Sequence, residues 1–227
     1  MTRLLIHVEG QTEETFVNEI LQSHLLSYGY LKVSARLVGN ARQRARRGGI
    51  CPWSSVRDDI LKHLKEDAGC RATTMVDYYA LPQNGDRAWP SRKEAASLPF
   101  AQRAEVVERA LLKDVEEQLG DARRFMPFLV MHEFEGLLFS DCAAFATGIG
   151  HPGLEKDFQN IRDAFASPEE INDSPITAPS KRVVSLVPNY EKPLMGCLAI
   201  LEIGLERIRA ECPRFKLWLE QLETWLL

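Results

Sequence analysis

Apolar and polar residues along the first 140 positions form a pattern that predicts strands and helices in alternation. Short apolar runs that are typical of strands occur at 3–8, 31–38, 72–81 (where the strand stops at Asp77) and 128–131. Between these runs, apolar residues recur at helical spacing, which predicts helices over roughly 12–28, 56–65 and 101–119. This alternation favours an α/β domain with a mainly parallel sheet.

The pattern changes after residue 150, where helical signals predominate. Short helices are expected around 155–166 and 168–171, and two longer ones over about 192–209 and 213–226. Pro168 and Pro213 both stand where the first turn of a helix accepts proline. We therefore predict an α/β core over residues 1–150 and a helical C-terminal elaboration over residues 151–227, packed on the same domain.

The composition narrows the class of protein. Hydrophobic content of 45% and charged content of 26% are ordinary for a soluble globular chain of 227 residues. The net charge of -4 means that any nucleic-acid binding must come from local basic patches. Five scattered cysteines without a C-x-x-C pair argue against a disulfide framework, and no apolar run approaches the ~20 residues of a membrane span. We expect a soluble, cytoplasmic protein.

Acidic residues follow three of the predicted strands. Glu9 ends the first, Asp77 the third, and Glu133 and Glu135 the fourth. Because the carboxyl ends of parallel strands meet at one edge of a sheet, these four carboxylates are expected to converge there. Clustered carboxylates repel one another unless a cation neutralises them, and Mg²⁺ or Mn²⁺ suits a site made only of oxygens. The alternative is that the acids interact favourably with helix N-termini.

Two of these acids, Glu133 and Glu135, lie between two apolar runs in the stretch 127-PFLVMHEFEGLLFSD-141. If the chain stays extended through Phe134, Glu133 and Glu135 point to the same side; on a helix they diverge by about 200°. Glu133 is then the first choice as a metal ligand. His132 is either a ligand or general acid/base, or a strand-end histidine satisfied by a neighbour.

Basic residues offer candidate contacts to phosphate. Lys181 and Arg182 follow Ser180 at a predicted helix start, where backbone N–H groups also favour anions. Lys192, close to Tyr190, is a similar candidate. The densest basic cluster suits contacts to a nucleic-acid backbone and comprises Arg42, Arg44, Arg46 and Arg47. The alternative in each case is a solvated surface charge.

Four motifs together resemble a known family. VEGQTEE at 8–14, MVDYYALP at 75–82, HEFEGLLFSD at 132–141, and PSKR at 179–182 followed by Tyr190 and Lys192 resemble a Toprim-like bacterial family, domain-of-unknown-function family 4276. The resemblance covers nearly the whole chain and implies a Toprim-like three-layer sandwich with a mainly parallel central sheet. Its relatives include topoisomerases, primases and the nucleases of the OLD type, so it also implies metal-dependent phosphodiester chemistry.

The resemblance also implies roles for individual residues. Glu9 matches the first Toprim glutamate and Asp77 the first aspartate of a D-x-D pair, whereas Tyr79 stands at the second aspartate position. A tyrosine does not replace a carboxylate at neutral pH, which puts a two-metal arrangement in doubt; Glu133 and Glu135 are candidates for the missing ligand. The expected catalytic residues are Glu9, Asp77, Glu133 and Lys181.

The expected function is a Mg²⁺- or Mn²⁺-dependent nuclease acting on DNA or RNA. Family members are often encoded beside ABC-type ATPases in defence-like gene clusters, so the resemblance implies an ATPase partner. The chain has no G-x-x-x-x-G-K motif and is not itself expected to be a P-loop ATPase. The alternatives are a non-catalytic Toprim-like binding subunit of an ATPase complex and a small-substrate phosphohydrolase.

Overall fold

A parallel β-sheet forms the centre of the molecule. The computed structural model describes residues 2–38, 50–172 and 176–226. The strands are β1 (Arg3–Val8), β2 (Lys32–Leu37), β3 (Cys70–Asp77), β4 (Phe125–Met126) and β5 (Leu129–Val130). They are arranged in the order β2-β1-β3-β4, with β5 also paired to β3, and every pairing is parallel. The predicted α/β class is confirmed.

Helices cover both faces of the sheet. Leu4, Ile6 and Val8 of β1 point to a core shared with α1 (Gln11–Phe16), which continues through a π-helical segment (Val17–Leu21) into α2 (Gln22–Leu26). Ala72 and Val76 of β3 point to a second core on the other face. That core contains the apolar sides of α3 (Trp53–Glu66) and α5 (Phe100–Leu119), with the short α4 (Arg92–Ala95) between them in the chain. The sheet is therefore the middle of three layers.

The chain is helical after β5, and the helical character predicted for residues 151–227 is confirmed. The helices are α6 (Glu135–Leu138), α7 (Cys142–Gly148), α8 (Glu155–Arg162), α9 (Pro179–Leu186), α10 (Lys192–Ile203), α11 (Leu205–Glu211) and α12 (Pro213–Thr224). They pack on the α1 face, where the Trp218 ring stacks on Phe128 at 4.5 Å and its Nε1 donates to Thr73 Oγ1 at 3.0 Å. No helix in the described part of the chain is long and apolar enough to cross a bilayer.

Two predicted elements differ in the structure. The strand predicted over 128–131 is the shorter β5, and the additional strand β4 precedes it. Pro127 separates the two strands because it has no N–H to give to the ladder, and Thr74 Oγ1 accepts from the N–H of Phe128 and donates to its carbonyl oxygen instead. The helix predicted over 192–209 breaks at Gly204, whose φ of 74° lies in the left-handed region that favours glycine. The chain turns there from α10 into α11.

Candidate functional site

The parallel strands bring acidic residues to one edge of the sheet. β1 ends just before Glu9, β3 ends at Asp77, and β5 ends shortly before Glu135. Glu13, in the first turn of α1, joins them from the α1 face. We call Glu9, Glu13, Asp77 and Glu135 the acidic cluster, because the charges of its members affect one another's pKa.

Three members of the acidic cluster are buried and Glu9 is half-buried, and burial raises the pKa of each carboxyl group. Glu135 is fully buried, and Glu13 and Asp77 are nearly so. Burial first, and then the charge of Glu13, raises the pKa of Glu9 to about 7. Burial, with the added charges of Glu13 and Glu9, raises the pKa of Asp77 well above its ordinary range. Four acids in this environment require a positive charge nearby.

Lys192, at the start of α10, supplies a positive charge to the acidic cluster. Its Nζ lies 2.8 Å from Glu135 Oε2. Desolvation lowers the pKa of Lys192, but Glu135 and Asp77 raise it more, so the ammonium stays charged. Even so, Glu9 Oε2 and Glu135 Oε1 are buried and accept no hydrogen bond from any residue the structure describes. One lysine therefore leaves acceptor oxygens of the acidic cluster unsatisfied.

The structure separates Glu133 from Glu135. Phe134 is helical, with φ −53° and ψ −37°, and α6 begins at Glu135, so the extended backbone that would align the two side chains is absent at this point. The turn forms because the Phe134 N–H donates to Asp77 Oδ1 at 2.8 Å and the buried Phe134 ring packs edge-on against Phe16. The condition under which Glu133 and Glu135 would act together is therefore not met.

Glu133 instead binds the start of α9. Its Oε2 accepts a hydrogen bond of 2.9 Å from the Ser180 N–H. The anion-binding position that we expected to serve a phosphate beside Lys181 is thus taken by a carboxylate of the protein itself. Glu133 still lies near enough to contribute to the raised pKa of Glu135.

The other predicted residues lie outside the acidic cluster. Lys181 is exposed, whereas the Arg182 guanidinium donates to Thr177 O and lies over the Phe165 ring. Tyr79 is 38% exposed on the turn after β3. Burial, together with Arg103 and Arg92, lowers the pKa of His132 to about 4, so its ring is neutral at pH 7. The basic cluster lies outside the described residues and comprises Arg42, Arg44, Arg46 and Arg47.

A second group of residues could hold a metal ion. His7, Asp59 and His63 each offer one ligand atom, and these atoms lie within 4.8 Å of one another. Among residues 2–38, 50–172 and 176–226, no three members of the acidic cluster come that close together. The close spacing of ligand atoms was predicted for the acids at the strand ends. In this structure it is found in a group of two histidines and one carboxylate.

Sequence reasoning missed several residues of both groups. Glu13 and His7 were not predicted as site residues, and Lys192 was assigned to phosphate binding. Asp59 and His63 were not singled out, although a carboxylate and a histidine four residues apart share one face of a helix. The spacing in 59-DILKH-63 was the available signal.

One comparison with known proteins gives a match. The model of a family described as a domain of unknown function, DUF4276, matches residues 8–223. No curated protein and no solved structure matched the chain. Since the match includes Glu9, Asp77, Glu135 and Lys192 and runs over nearly the full length, the chain belongs to the DUF4276 family.

Proposed function

We propose that the protein is a metal-dependent nuclease that hydrolyses phosphodiester bonds in DNA or RNA, with Mg²⁺ or Mn²⁺ bound by the acidic cluster. The observation that carries the proposal is a cluster of four acids, three of them buried and Glu9 half-buried, at the carboxyl edge of a parallel sheet against a single lysine. The motifs at 8–14, 75–82 and 132–141 support a Toprim-like relationship as part of the same proposal.

The residues present fit a divalent cation. The donors are all carboxylate oxygens, which Mg²⁺ and Mn²⁺ prefer, and two of these oxygens are buried without a hydrogen bond from the described residues. Glu9, Asp77 and Glu135 would hold the ion, with Glu13 adjacent on α1. Since no three of these residues, as the structure describes them, bring one oxygen each within 4.8 Å of the others, binding requires the side chains to move closer together.

A bound ion of this kind lowers the pKa of a coordinated water and offsets charge on a phosphate. Basic side chains of the protein would contribute further contacts to the phosphate. Lys192, released from Glu135, would neutralise a phosphate oxygen at the mouth of the cluster, since 42% of its side chain is exposed. Lys181 is exposed one residue beyond Ser180 and is a further phosphate contact in this proposal. Arg182, held on Thr177, would position the start of α9. Tyr79 at the second acidic position favours one ion over two.

A binding module is the second candidate, and Lys192 is the observation that favours it. A lysine already placed against Glu135 can serve as a permanent counter-ion, as in a subunit that docks on an ABC-type ATPase without catalysing cleavage. In either case we place the protein in the cytoplasm, where its five free thiols stay reduced. A role in a defence system follows from the same resemblance.

Cleavage assays separate these functions. Supercoiled plasmid, single-stranded RNA and bis(p-nitrophenyl) phosphate are incubated with the protein and Mg²⁺ or Mn²⁺. We expect cleavage of a polymer by the wild type, loss of more than about 100-fold in Glu9→Gln, Asp77→Asn and Glu135→Gln, and full activity in Glu117→Gln, which alters an exposed acid on α5. Hydrolysis of the small ester alone would indicate a phosphohydrolase. Failure to cleave any substrate, with or without the ATPase, would favour the binding module.

A further inference from the structure

A histidine pair and a carboxylate meet between β1 and α3. His7 Nε2 lies 3.6 Å from Asp59 Oδ2, and His63 Nε2 lies 3.6 Å from Asp59 Oδ1. Asp59 and His63 are one turn apart on α3. Neighbouring residues of a strand point to opposite faces of the sheet, and Ile6 and Val8 face the α1 core, so His7 points to the α3 face. The acidic cluster contacts α1 and α10 on the other face. The two groups are therefore separate sites.

The hydrogen bonds of His7 leave a lone pair directed at Asp59. His7 Nδ1 lies 3.3 Å from the Thr73 carbonyl oxygen, which can only accept, so Nδ1 carries the proton. With the proton on Nδ1, the other nitrogen of the neutral imidazole, Nε2, is an acceptor. A neutral ring nitrogen and a carboxylate oxygen then face each other with no proton between them.

The second imidazole also places a ring nitrogen beside Asp59. His63 Nε2 and His7 Nε2 are both buried, and neither has a hydrogen-bond partner among the described residues. Buried ring nitrogens without partners are costly, and a cation placed between them and Asp59 gives both of them a partner. The Nδ1–H bond from His7 to a backbone carbonyl is also the contact that orients a metal-binding histidine.

We propose that His7, Asp59 and His63 bind a divalent transition-metal ion of the Zn²⁺ class. Two imidazoles and one carboxylate suit Zn²⁺ or Co²⁺ rather than Mg²⁺, which prefers oxygen. Two metal–ligand bonds of about 2.1 Å to the same ion can join ligand atoms that are up to about 4.2 Å apart. The two 3.6 Å separations fit this limit, and the full set, within 4.8 Å, needs at most a small inward shift. Asp59 and His63 are each 26% exposed, so water can fill a further coordination position.

Arg36 neutralises the carboxylate when no ion is bound. Its Nε and a terminal nitrogen donate to the two oxygens of Asp59 at 2.9 and 3.0 Å. Each carboxylate oxygen keeps a second lone pair, and 44% of the Arg36 side chain is exposed, so it can withdraw into solvent. The ion would fix β1 to α3 with three protein ligands and an open position. This inference does not depend on the nuclease proposal.

Cobalt binding tests the site. Protein stripped with EDTA is titrated with Co²⁺ and followed by visible absorption, and Zn²⁺ is then added as a competitor. We expect one Co²⁺ per chain with the intense bands of low coordination number, displaced by Zn²⁺. His63→Gln and Asp59→Asn should weaken binding by at least about 100-fold, since even partners outside the ligand set cost 10–100-fold. The matched control is His24→Gln, because His24 also pairs with a carboxylate, Glu223, but is not part of the group.

Variants at the half-exposed Asp59 and His63 avoid the folding risk of altering the fully buried His7. Circular dichroism of each variant establishes that it is folded. The proposal is overturned if the wild type binds no Co²⁺ or Zn²⁺, or if folded His63→Gln and Asp59→Asn retain wild-type affinity. Loss of the Co²⁺ bands in Glu135→Gln with retention in His63→Gln would likewise overturn it, since it would place the transition metal in the acidic cluster.

Discussion

Replacing Glu9 with glutamine is expected to change how the stability of the metal-free protein depends on pH. Burial and the charge of Glu13 raise the pKa of Glu9 from 4.5 to about 7 in the folded state. The folded protein therefore holds a proton on Glu9 more tightly than the unfolded chain does. This contribution to stability is fully present below about pH 4.5 and is lost as the pH rises through about 7.

The size of this change in stability follows from the raised pKa of Glu9. A pKa raised from 4.5 to about 7 corresponds, at about 1.4 kcal/mol for each tenfold change in proton affinity, to about 3.5 kcal/mol. This is an upper value, because Glu13 and Asp77 titrate together with Glu9 and share the effect. Glutamine keeps the shape of the side chain but cannot ionise, so Glu9→Gln lacks the part of the pH dependence that Glu9 contributes.

Urea unfolding in EDTA, repeated from about pH 5 to about pH 8, measures the effect. The wild type should lose stability relative to Glu9→Gln as the pH rises, and the difference should approach about 3.5 kcal/mol or a large part of it. Glu117→Gln, at an acid that is mostly exposed, should follow the wild type. If the wild-type and Glu9→Gln profiles run parallel across this range, the reasoning about the acidic cluster is refuted.

Three further substitutions test the geometry. Lys192→Met should lower the unfolding free energy of the metal-free protein by about 2 kcal/mol. This is less than the loss of a fully buried ion pair costs, because Lys192 is partly exposed. Unchanged urea unfolding would show that the ion pair with Lys192 does not stabilise Glu135. Glu133→Ala should cost about 1 kcal/mol by removing the acceptor at the start of α9 but leave Mn²⁺ binding intact; loss of Mn²⁺ binding would restore Glu133 as a ligand. Gly148→Ala should lower stability by about 1–3 kcal/mol, since its Cβ would lie 2.6 Å from the Ala199 Cα on α10; an unchanged melting temperature would contradict this packing.

The sheet could be predicted from the sequence because its apolar runs are separated by clear helical patterns. Those runs also place Glu9 and Asp77 correctly at strand ends. The break at Gly204 was not predicted, since a glycine inside a helical pattern is compatible with a continuous helix. In the structure Gly204 has a φ of 74°, which favours glycine, and α10 ends there.

The composition of the acidic cluster depended on contacts between distant parts of the chain. The turn that buries Glu135 and turns Glu133 away is held by a bond from the Phe134 N–H to Asp77, 57 positions earlier. Lys192 reaches Glu135 only because α10 docks beside α6, and no local pattern specifies that docking. Asp59 and His63 share a helix face by spacing alone, but their relation to His7 depends on how α3 lies across β1.

Binding of Mn²⁺ followed by electron paramagnetic resonance tests the central claim most directly, because free and bound Mn²⁺ give different signals. The protein is first stripped with EDTA and then titrated with Mn²⁺ as the only added metal ion, and the His63→Gln variant removes the histidine group from the measurement. We predict that the wild type and His63→Gln bind Mn²⁺ equally, whereas Glu9→Gln, Asp77→Asn and Glu135→Gln bind it at least about 10-fold more weakly. If the wild type binds no Mn²⁺, or if all three variants bind it as the wild type does, the acidic cluster is not a cation site.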